Sequence, residues 1–434
     1  MKRRAKKFLF VFTITTIFFI LSTSVVMAES HYVESNVHQT DLHQILLEEY
    51  GAEFVYNYFN SILQLENILS SFYMTADGYI LYPDTFGGVY INDNGILVML
   101  FTTETQEDLS PYLYSNNIDS DTNNNIITRR VQHSYSDLWY IMNFLTNIER
   151  ELATSNVHSW SLDVIGNRII VALAEYSERH IDHFKNTIIN SPLIEFTLSY
   201  GLACTDMPLS ESNISYIMPP YTAPYYEEPP YITSYEQFTP SNVRIRTGDI
   251  IRIYSNSRRI GWGSAGYRVR RISDNRVGLI TAFHLANGLN NGDEIRNGSN
   301  QRIGTARNSS IWGDDATFIE LNNNVTVDTL AQFVPRLGSN VVGNRVTSRG
   351  AASGVRSGTI LSAWRGHLTN GLFVEGFQAS YRTAGGDSGG VVYSFTGNIT
   401  FINGITVARV LNPNSDGIFT PADSINRNLR VNLH

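Results

Sequence analysis

Hydrophobic residues between positions 241 and 434 fall in short runs that are separated by Gly, Asn, Ser and Pro. Such runs, with turn residues between them, are typical of β-strands, and their density predicts an all-β barrel or sandwich. The closing segment SINRNLRVNL predicts a short helix or a strand. The runs are DIIRIYS, GYRVRRI, RVGLITAF, ATFIEL, SGTILSAW, GGVVYSF and FINGITVAR.

Residues 29–203 have a different pattern, which predicts an α+β block. Apolar residues recur at helical spacing over Leu42–Leu63 and Tyr135–Ala153, and Ser136 or Asp137 is the expected cap of the second helix. The segments GGVYINDNGILVMLFT and SWSLDVIGNRIIVALAE predict two hairpins. Each hairpin is followed by an acidic or helical stretch, so the block is expected to contain a duplicated unit. Nothing in it suggests a catalytic constellation.

A linker is predicted over residues 204–240, between the two blocks. Seven of the chain's 13 prolines lie there, without a sustained apolar period. Such a segment is extended and open to proteolysis. We expect a maturation cut between Cys204 and Arg246, near the end of the linker.

The first 28 residues predict a signal peptide. Five basic residues precede an uncharged stretch from Phe8 to Met27, and cleavage is expected after Ala28. A retained membrane anchor is the alternative, because a stretch of this length could span a bilayer. Cys204 is the only cysteine, so the chain cannot form an internal disulfide or a zinc site built on several cysteines.

Charge divides the chain in the same place as the hydrophobic pattern does. Residues 241–434 contain 21 Arg, no Lys and 12 acidic residues, a net charge of +9, whereas residues 29–240 carry 6 basic and 28 acidic residues, a net charge of −22. Two covalently joined blocks of opposite sign are expected to bind each other.

The segment GGDSGG, which surrounds Ser388, is the strongest candidate for reactive chemistry. By itself it could be an ordinary turn, because a nucleophilic serine needs a base and an orienting acid. His284 directly follows the apolar run VGLITAF, while His367 lies in a polar turn and His434 is the last residue. Asp314 and Asp315 precede the strand ATFIEL, and either could be the acid.

The order His, Asp, Ser along the chain, together with these motifs, resembles the secreted bacterial serine endopeptidases of the chymotrypsin clan, especially the α-lytic protease and streptogrisin group. The segments GLITAFH, SRGAASGVRSGTI and FTPADSINRNLRVNL carry the likeness over most of residues 245–434. The resemblance implies an all-β, chymotrypsin-like double β-barrel protease domain over 241–434. It also implies that residues 29–203 are an α+β pro-region.

The resemblance also implies a role for each candidate residue. His284 would be the base, Ser388 the nucleophile and Asp314 the acid, because the family spacing is Asp-x-Ala and Ala316 supplies the alanine. Asp387 would be buried against an arginine, and Arg349 is the expected partner. The remaining assignments are the backbone N–H groups of Gly386 and Ser388 as oxyanion hole, and Thr406, Val407, Ala408, Arg409 and Arg382 as substrate-binding residues.

The chain departs from the family pattern beside His284, at Phe283 and Leu285, and also in the barrel and in the cleft strand. Thr347 and Ser357 stand where the resemblance would place a bridged cysteine pair, and the cleft strand GITVAR replaces a serine and glycines, which leaves the specificity pocket undefined. Arg382 or Arg409 could favour an acidic residue before the cut, or either could be a solvated surface arginine.

The expected function is that of a secreted serine endopeptidase made as a zymogen, with a pro-region that assists folding and inhibits until it is cleaved. Its expected partners are a protein or peptide substrate and its own pro-region. No metal, organic cofactor, nucleic acid or lasting membrane association is expected. A secreted binding or toxin-like protein with narrow or no proteolytic activity and an esterase are the alternatives.

Overall fold

The computed structural model describes residues 40–74, 80–102, 126–204, 243–285, 288–328, 336–396 and 399–434. The predicted signal peptide and the linker beyond Cys204, with its expected maturation site, lie outside these ranges. Residues Tyr50–His434 form one compact unit, separate from Met1–Glu49. No helix in the described ranges is both long and apolar enough to cross a membrane.

The N-terminal block, residues 40–204, mixes helices and strands as expected. Its elements are α1 (Thr40–Ser71), β1 (Tyr73–Met74), β2 (Ile80–Leu81), β3 (Phe86–Ile91), β4 (Leu97–Phe101), β5 (Ile126–Arg130), α2 (Tyr135–Asn147), α3 (Glu149–Ala153), β6 (Val157–Asp163), β7 (Arg168–Leu173), α4 (Glu178–Thr187), β8 (Ile194–Leu198) and β9 (Leu202–Cys204).

The C-terminal block, residues 243–434, is built almost wholly of strands. Its elements are β10 (Val243–Arg246), β11 (Ile250–Ser255), β12 (Arg258–Ser264), β13 (Arg268–Arg271), β14 (Val277–Ala282), β15 (Glu294–Asn297), β16 (Arg302–Ser310), β17 (Ala316–Leu321), β18 (Val325–Asp328), β19 (Arg336–Leu337), β20 (Arg345–Gly350), β21 (Gly354–His367), β22 (Phe373–Arg382), β23 (Val391–Thr396), β24 (Ile399–Val410), β25 (Asp416–Pro421), α5 (Ala422–Leu429) and β26 (Val431–Leu433). The closing segment thus forms both a helix and a strand.

The strands of the C-terminal block form two main sheets. One is antiparallel, in the order β12-β11-β15-β16-β17-β14-β13-β26. The other contains the run β20-β23-β24-β25-β22-β21, which closes into a six-stranded barrel because β20 also pairs with β21. The buried apolar side chains of both sheets belong to one core cluster. The prediction of an all-β C-terminal block preceded by an α+β block is confirmed.

The N-terminal block contains the predicted hairpins, and each is extended in the same way. Strands β3 and β4 are antiparallel and β5 adds in parallel to β4, while β6, β7 and β8 repeat that arrangement. This common topology supports the expected duplication.

The helices differ from the prediction in detail. Helix α1 is longer than expected, with a non-helical backbone at Gly51. The second predicted helix is two helices, and its cap is Ser134 rather than Ser136 or Asp137. The Ser134 hydroxyl accepts the backbone N–H of Asp137 at 3.1 Å, so the cap lies two or three residues earlier than predicted, directly before the expected first residue Tyr135.

The two blocks share a sheet, because β6 pairs antiparallel with β21 of the barrel. Trp160 on β6 is buried and stacks on Phe373 of β22, with ring centroids 5.8 Å apart. On its other side Phe373 packs against Trp312, at 5.4 Å. Glu149 of the N-terminal block also contacts His367, with its carboxylate oxygen 2.8 Å from Nε2, close enough for a hydrogen bond. Sheet pairing and aromatic packing therefore join the blocks.

Thr347 and Ser357, which stand where the family resemblance would place a disulfide, face each other across β20 and β21. Their hydroxyl groups are 3.2 Å apart and hydrogen-bonded. A polar cross-strand pair therefore occupies this position of the barrel without a covalent bridge.

Replacing Phe373 with Ala should test the contact between the blocks. We expect a loss of about 3–5 kcal/mol in the free energy of unfolding, because the ring is packed between two indoles. Urea denaturation of the full chain measures it. Tyr140→Ala is the control, since that ring is 68% exposed and its loss should cost less than about 0.5 kcal/mol. Equal effects of the two substitutions would contradict the packing argument.

Candidate active site

His284 and Ser388 meet at the junction of the two sheets. His284 comes two residues after the end of β14 in the antiparallel sheet, whereas Ser388 lies between β22 and β23 of the barrel. The Nε2 atom of His284 is 2.8 Å from the Ser388 hydroxyl, close enough for a hydrogen bond. Both residues are buried, with Ser388 0% and His284 5% exposed. The structure therefore brings the predicted base and nucleophile together.

The acid that contacts His284 is Asp315, and the expectation of Asp314 was wrong. One carboxylate oxygen of Asp315 contacts Nδ1 of His284, and the other accepts the backbone N–H of His284 at 2.9 Å. The strand register explains the correction. Ala316 pairs with Ala282, and the N–H of Phe283 donates to the Asp315 carbonyl at 3.0 Å, so Asp315 continues the ladder beside His284.

Asp314 lies one residue further out and points elsewhere. Its carboxylate accepts hydrogen bonds from Ser310, from Ser424 and from Asn428, each at 2.6 Å. Ser424 and Asn428 belong to α5, so Asp314 fastens the closing helix to the antiparallel sheet. Asp314 therefore holds α5 in place and does not contact His284.

The electrostatics of Asp315 follow from its complete burial. Removal from water raises its pKa, and the adjacent His284 partly offsets that rise. A carboxylate that accepts the Nδ1 proton leaves Nε2 as the basic nitrogen, and Nε2 faces Ser388. The three side chains can therefore pass a proton from the serine hydroxyl to the imidazole.

The loop that carries Ser388 is held by contacts from β12. Ser264 donates its backbone N–H to the Ser388 carbonyl at 2.8 Å and its hydroxyl to the Gly386 carbonyl at 2.7 Å. Gly386 has φ of 98°, and a Cβ there would lie 2.0 Å from the indole of Trp262. Both its backbone conformation and its neighbour thus require glycine at this position.

Asp387 lies in the same loop, and the expectation that its carboxylate contacts Arg349 was wrong. Its carboxylate instead accepts hydrogen bonds from protein donors on two segments: the backbone N–H groups of Ala352, Ser353 and Ala384 at 2.8–3.0 Å, and the Thr383 hydroxyl at 3.2 Å. A buried carboxylate can be satisfied by neutral donors, so it does not need a cation in contact.

The candidate substrate-binding residues have different positions in the structure. The backbone of Thr406 is hydrogen-bonded to Gly389 and Gly390, directly after the nucleophile, and its side chain is buried. Val407 and Ala408 are buried, and Arg409 is half-buried beside them. Arg382, at the end of β22, is exposed. Strand β24 therefore leads away from the nucleophile along Thr406–Arg409.

Strand β9 of the N-terminal block covers this edge of β24. The register is antiparallel, with Cys204 opposite Ala408 and Leu202 opposite Val410. The chain in β9 consequently runs towards Thr406, and so towards Ser388. An extended segment already lies along the edge that leads to the nucleophile.

Sequence reasoning missed Trp262, Ser264 and the role of Asp315. Trp262 and Ser264 carry no motif and act only because β12 reaches the loop around Ser388. No signal in the sequence distinguishes Asp315 from Asp314, because the pairing of β17 with β14 fixes which of the adjacent aspartates faces the histidine.

A family model described as the Pro-like C-terminal domain matches residues 136–199. No curated protein sequence matches this chain.

Among solved structures, the chain is similar to protease A of Thermobifida fusca, with 23% identity over 44% of this chain and 98% of that one, and a TM-score of 0.36. It is similar to a protease of Nocardiopsis, with 22% identity over 44% of this chain and 100% of that one, and a TM-score of 0.37. A chymotrypsin of Cellulomonas bogoriensis has 25% identity over 44% and 98%, with a TM-score of 0.34. These three solved structures are bacterial proteases, and each similarity covers 44% of this chain.

Replacing each of the two adjacent aspartates with Asn, one at a time, separates their roles. Asp315→Asn should slow the labelling of Ser388 by a fluorophosphonate by about four powers of ten, because the imidazole loses its orienting charge. Asp314→Asn should label at nearly the wild-type rate, but lose about 1–3 kcal/mol of stability through weakened bonds to α5. Labelling rates by mass spectrometry and urea midpoints check both. Faster labelling of the Asp315 variant than of the Asp314 variant would contradict the assignment.

Proposed function

We propose that this protein is a secreted serine endopeptidase, made as a zymogen, that hydrolyses peptide bonds through an acyl-enzyme. The observation that carries the proposal is the position of His284 between two partners. Its Nδ1 faces the buried Asp315 and its Nε2 is 2.8 Å from the Ser388 hydroxyl. This arrangement supports nucleophilic catalysis by serine.

In the acylation step, Ser388 Oγ attacks the carbonyl carbon of the scissile bond and its proton passes to Nε2 of His284. The C–N bond then breaks as His284 returns that proton to the leaving amine. In deacylation, a water molecule gives a proton to Nε2 of His284 while its oxygen attacks the acyl carbon. The ester bond to Ser388 Oγ then breaks, and His284 returns the proton to Ser388. Asp315 stabilises the imidazolium in both halves.

The negative charge on the carbonyl oxygen needs hydrogen-bond donors. We assign this role to the backbone N–H groups of Gly386 and Ser388, each worth about 3–4 kcal/mol in such sites. The contacts of Ser264 with both residues support the assignment, because they fix the backbone of this loop before substrate binds. Preorganised donors cost no rearrangement during the reaction.

The N-terminal block is proposed to inhibit the enzyme until it is cleaved. Strand β9 lies on the edge of β24, in an antiparallel register that runs towards Ser388. A substrate that used this edge would have to displace β9. Cleavage in the linker, residues 204–240, would free that strand, and the signal-like residues 1–28 support export of the precursor.

The same block is proposed to assist folding. The barrel depends on pairings between strands far apart in sequence, which are slow to form. Strand β6 offers a template for β21, and the −22 charge of residues 29–240 could draw in a C-terminal block of charge +9.

Replacing Ser388 with Ala should prevent maturation. We expect wild-type protein to be cut between Cys204 and Arg246, while the variant accumulates uncut and hydrolyses no peptide amide. Mass spectrometry of the secreted product gives the termini, and casein and simple esters test for other activities. Ser299→Ala, at an exposed turn, is the control and should mature normally. Normal casein hydrolysis by the Ser388 variant would refute the proposal, and ester hydrolysis without amide hydrolysis by wild type would make the enzyme an esterase.

Refolding tests the role of the N-terminal block. Residues 241–434 alone should regain little activity, and addition of residues 29–203 as a separate chain should restore it. High salt should slow recovery, because attraction between exposed charges is screened over about 10 Å at 0.1 M. Efficient recovery without the added block would contradict a folding role.

A further inference from the structure

Arg409 occupies a position that a bound peptide would have to pass, if the proposed endopeptidase function holds. It lies on β24, three residues beyond Thr406, whose backbone is bonded to Gly389 and Gly390 next to the nucleophile. Its backbone is opposite Ala203 of β9. Because β9 runs towards Ser388, a peptide on this edge would bring the residues just before its scissile bond to this part of the cleft.

The positive charge of Arg409 has no partner in contact within the described part of the chain. Its Nε atom is buried without a hydrogen bond, and no ion pair joins the guanidinium to a described carboxylate. Burial lowers the pKa of Arg409, and the charge of Asp387 partly offsets this effect. A guanidinium that is partly removed from water gains from an anionic partner, so half-buried Arg409 is placed to bind one.

Asp387 acts on Arg409 only through its electrostatic field. Its two carboxylate oxygens already accept four hydrogen bonds from the segments on either side. The aspartate is therefore satisfied without the arginine, and the planar donor set of Arg409 remains suited to a carboxylate from outside the protein.

Arg382 is the other arginine that the sequence connects with substrate. It lies at the end of β22 and is exposed, so water solvates its charge. An exposed arginine contributes little to binding in comparison with a desolvated one. The two residues thus offer a matched pair, in which the same change is made inside and outside the proposed subsite.

We propose that Arg409 binds an acidic side chain of the substrate on the amino-terminal side of the scissile bond, so that the enzyme prefers peptides with Glu or Asp there. The chain's own linker contains such residues at Asp206, Glu211, Glu227, Glu228 and Glu236. Asp206 is two residues beyond the end of β9. Cleavage of its own linker would therefore use the same recognition of an acidic side chain as cleavage of an external substrate.

Peptide amides that differ only in having Glu, Gln or Leu before the cut test this inference in the matured enzyme. We expect wild type to favour Glu over Gln by about 10- to 100-fold in kcat/KM, the effect of one hydrogen bond to a charged group. Arg409→Gln should remove the preference while it still cleaves the Gln and Leu peptides, and Arg409→Lys should keep part of it. Arg382→Gln, the control, should retain the wild-type preference.

The outcomes separate this inference from the proposed function. Equal cleavage of the Glu and Gln peptides by wild type would overturn the role of Arg409 and leave the endopeptidase intact. So would an Arg409→Gln variant that loses activity on all three peptides equally, or a loss of preference in the Arg382 variant. If wild type cleaves no peptide and Ser388 takes no fluorophosphonate label, the endopeptidase itself is rejected, and the inference with it.

Discussion

The pairing of β6 with β21 is the interaction on which the relation between the two blocks depends. The part of β21 beyond its pairing with β20 would present unpaired N–H and C=O groups, which need water or another strand. In this chain β6 supplies that strand, and its buried Trp160 covers Phe373 at the start of β22. The isolated bridge between Gly313 and Val374 then ties the start of β22 to the loop that contains Asp315. The N-terminal block thus buttresses a strand that is bonded to the loop of the candidate acid.

The candidate site forms only where the two sheets of the C-terminal block meet. His284 and Asp315 belong to adjacent strands of one sheet, so their contact follows from the pairing of β14 with β17. Ser388 is 104 residues from His284 and comes from the barrel. Neither sheet can assemble the three side chains alone, and both must be complete before the site exists. A template for β21 therefore acts on the barrel, the sheet that supplies Ser388.

The fold class and most strands could be predicted from the sequence, because strands are marked locally by runs of apolar residues between turn residues. It also identified His284 and Ser388, since a histidine at a strand end and a serine between glycines leave few alternatives. It did not identify Asp315, because adjacent carboxylates differ only in strand register, which a partner strand decides. The prediction that Asp387 contacts Arg349 was wrong for a related reason. Most of its actual donors are backbone N–H groups on other segments, and every residue type except proline supplies such a donor, so the sequence does not distinguish them. The opposite charges of the blocks were visible, but the aromatic packing between them was not.

Inhibition and substrate recognition are proposed to use the same edge of β24, which limits how each can work. Backbone pairing accepts almost any extended segment, so it explains why β9 can lie there but not why one peptide is preferred to another. Selection must then come from side chains beside the edge, and Arg409 is the charged one among Thr406–Arg409. While the linker is intact, β9 competes at a high effective concentration, because it belongs to the same chain. Cutting the linker leaves the backbone contacts of β9 and the pairing of β6 with β21 unchanged, so the edge opens to substrate only when the cut N-terminal block dissociates. The return of β9 is then a bimolecular event.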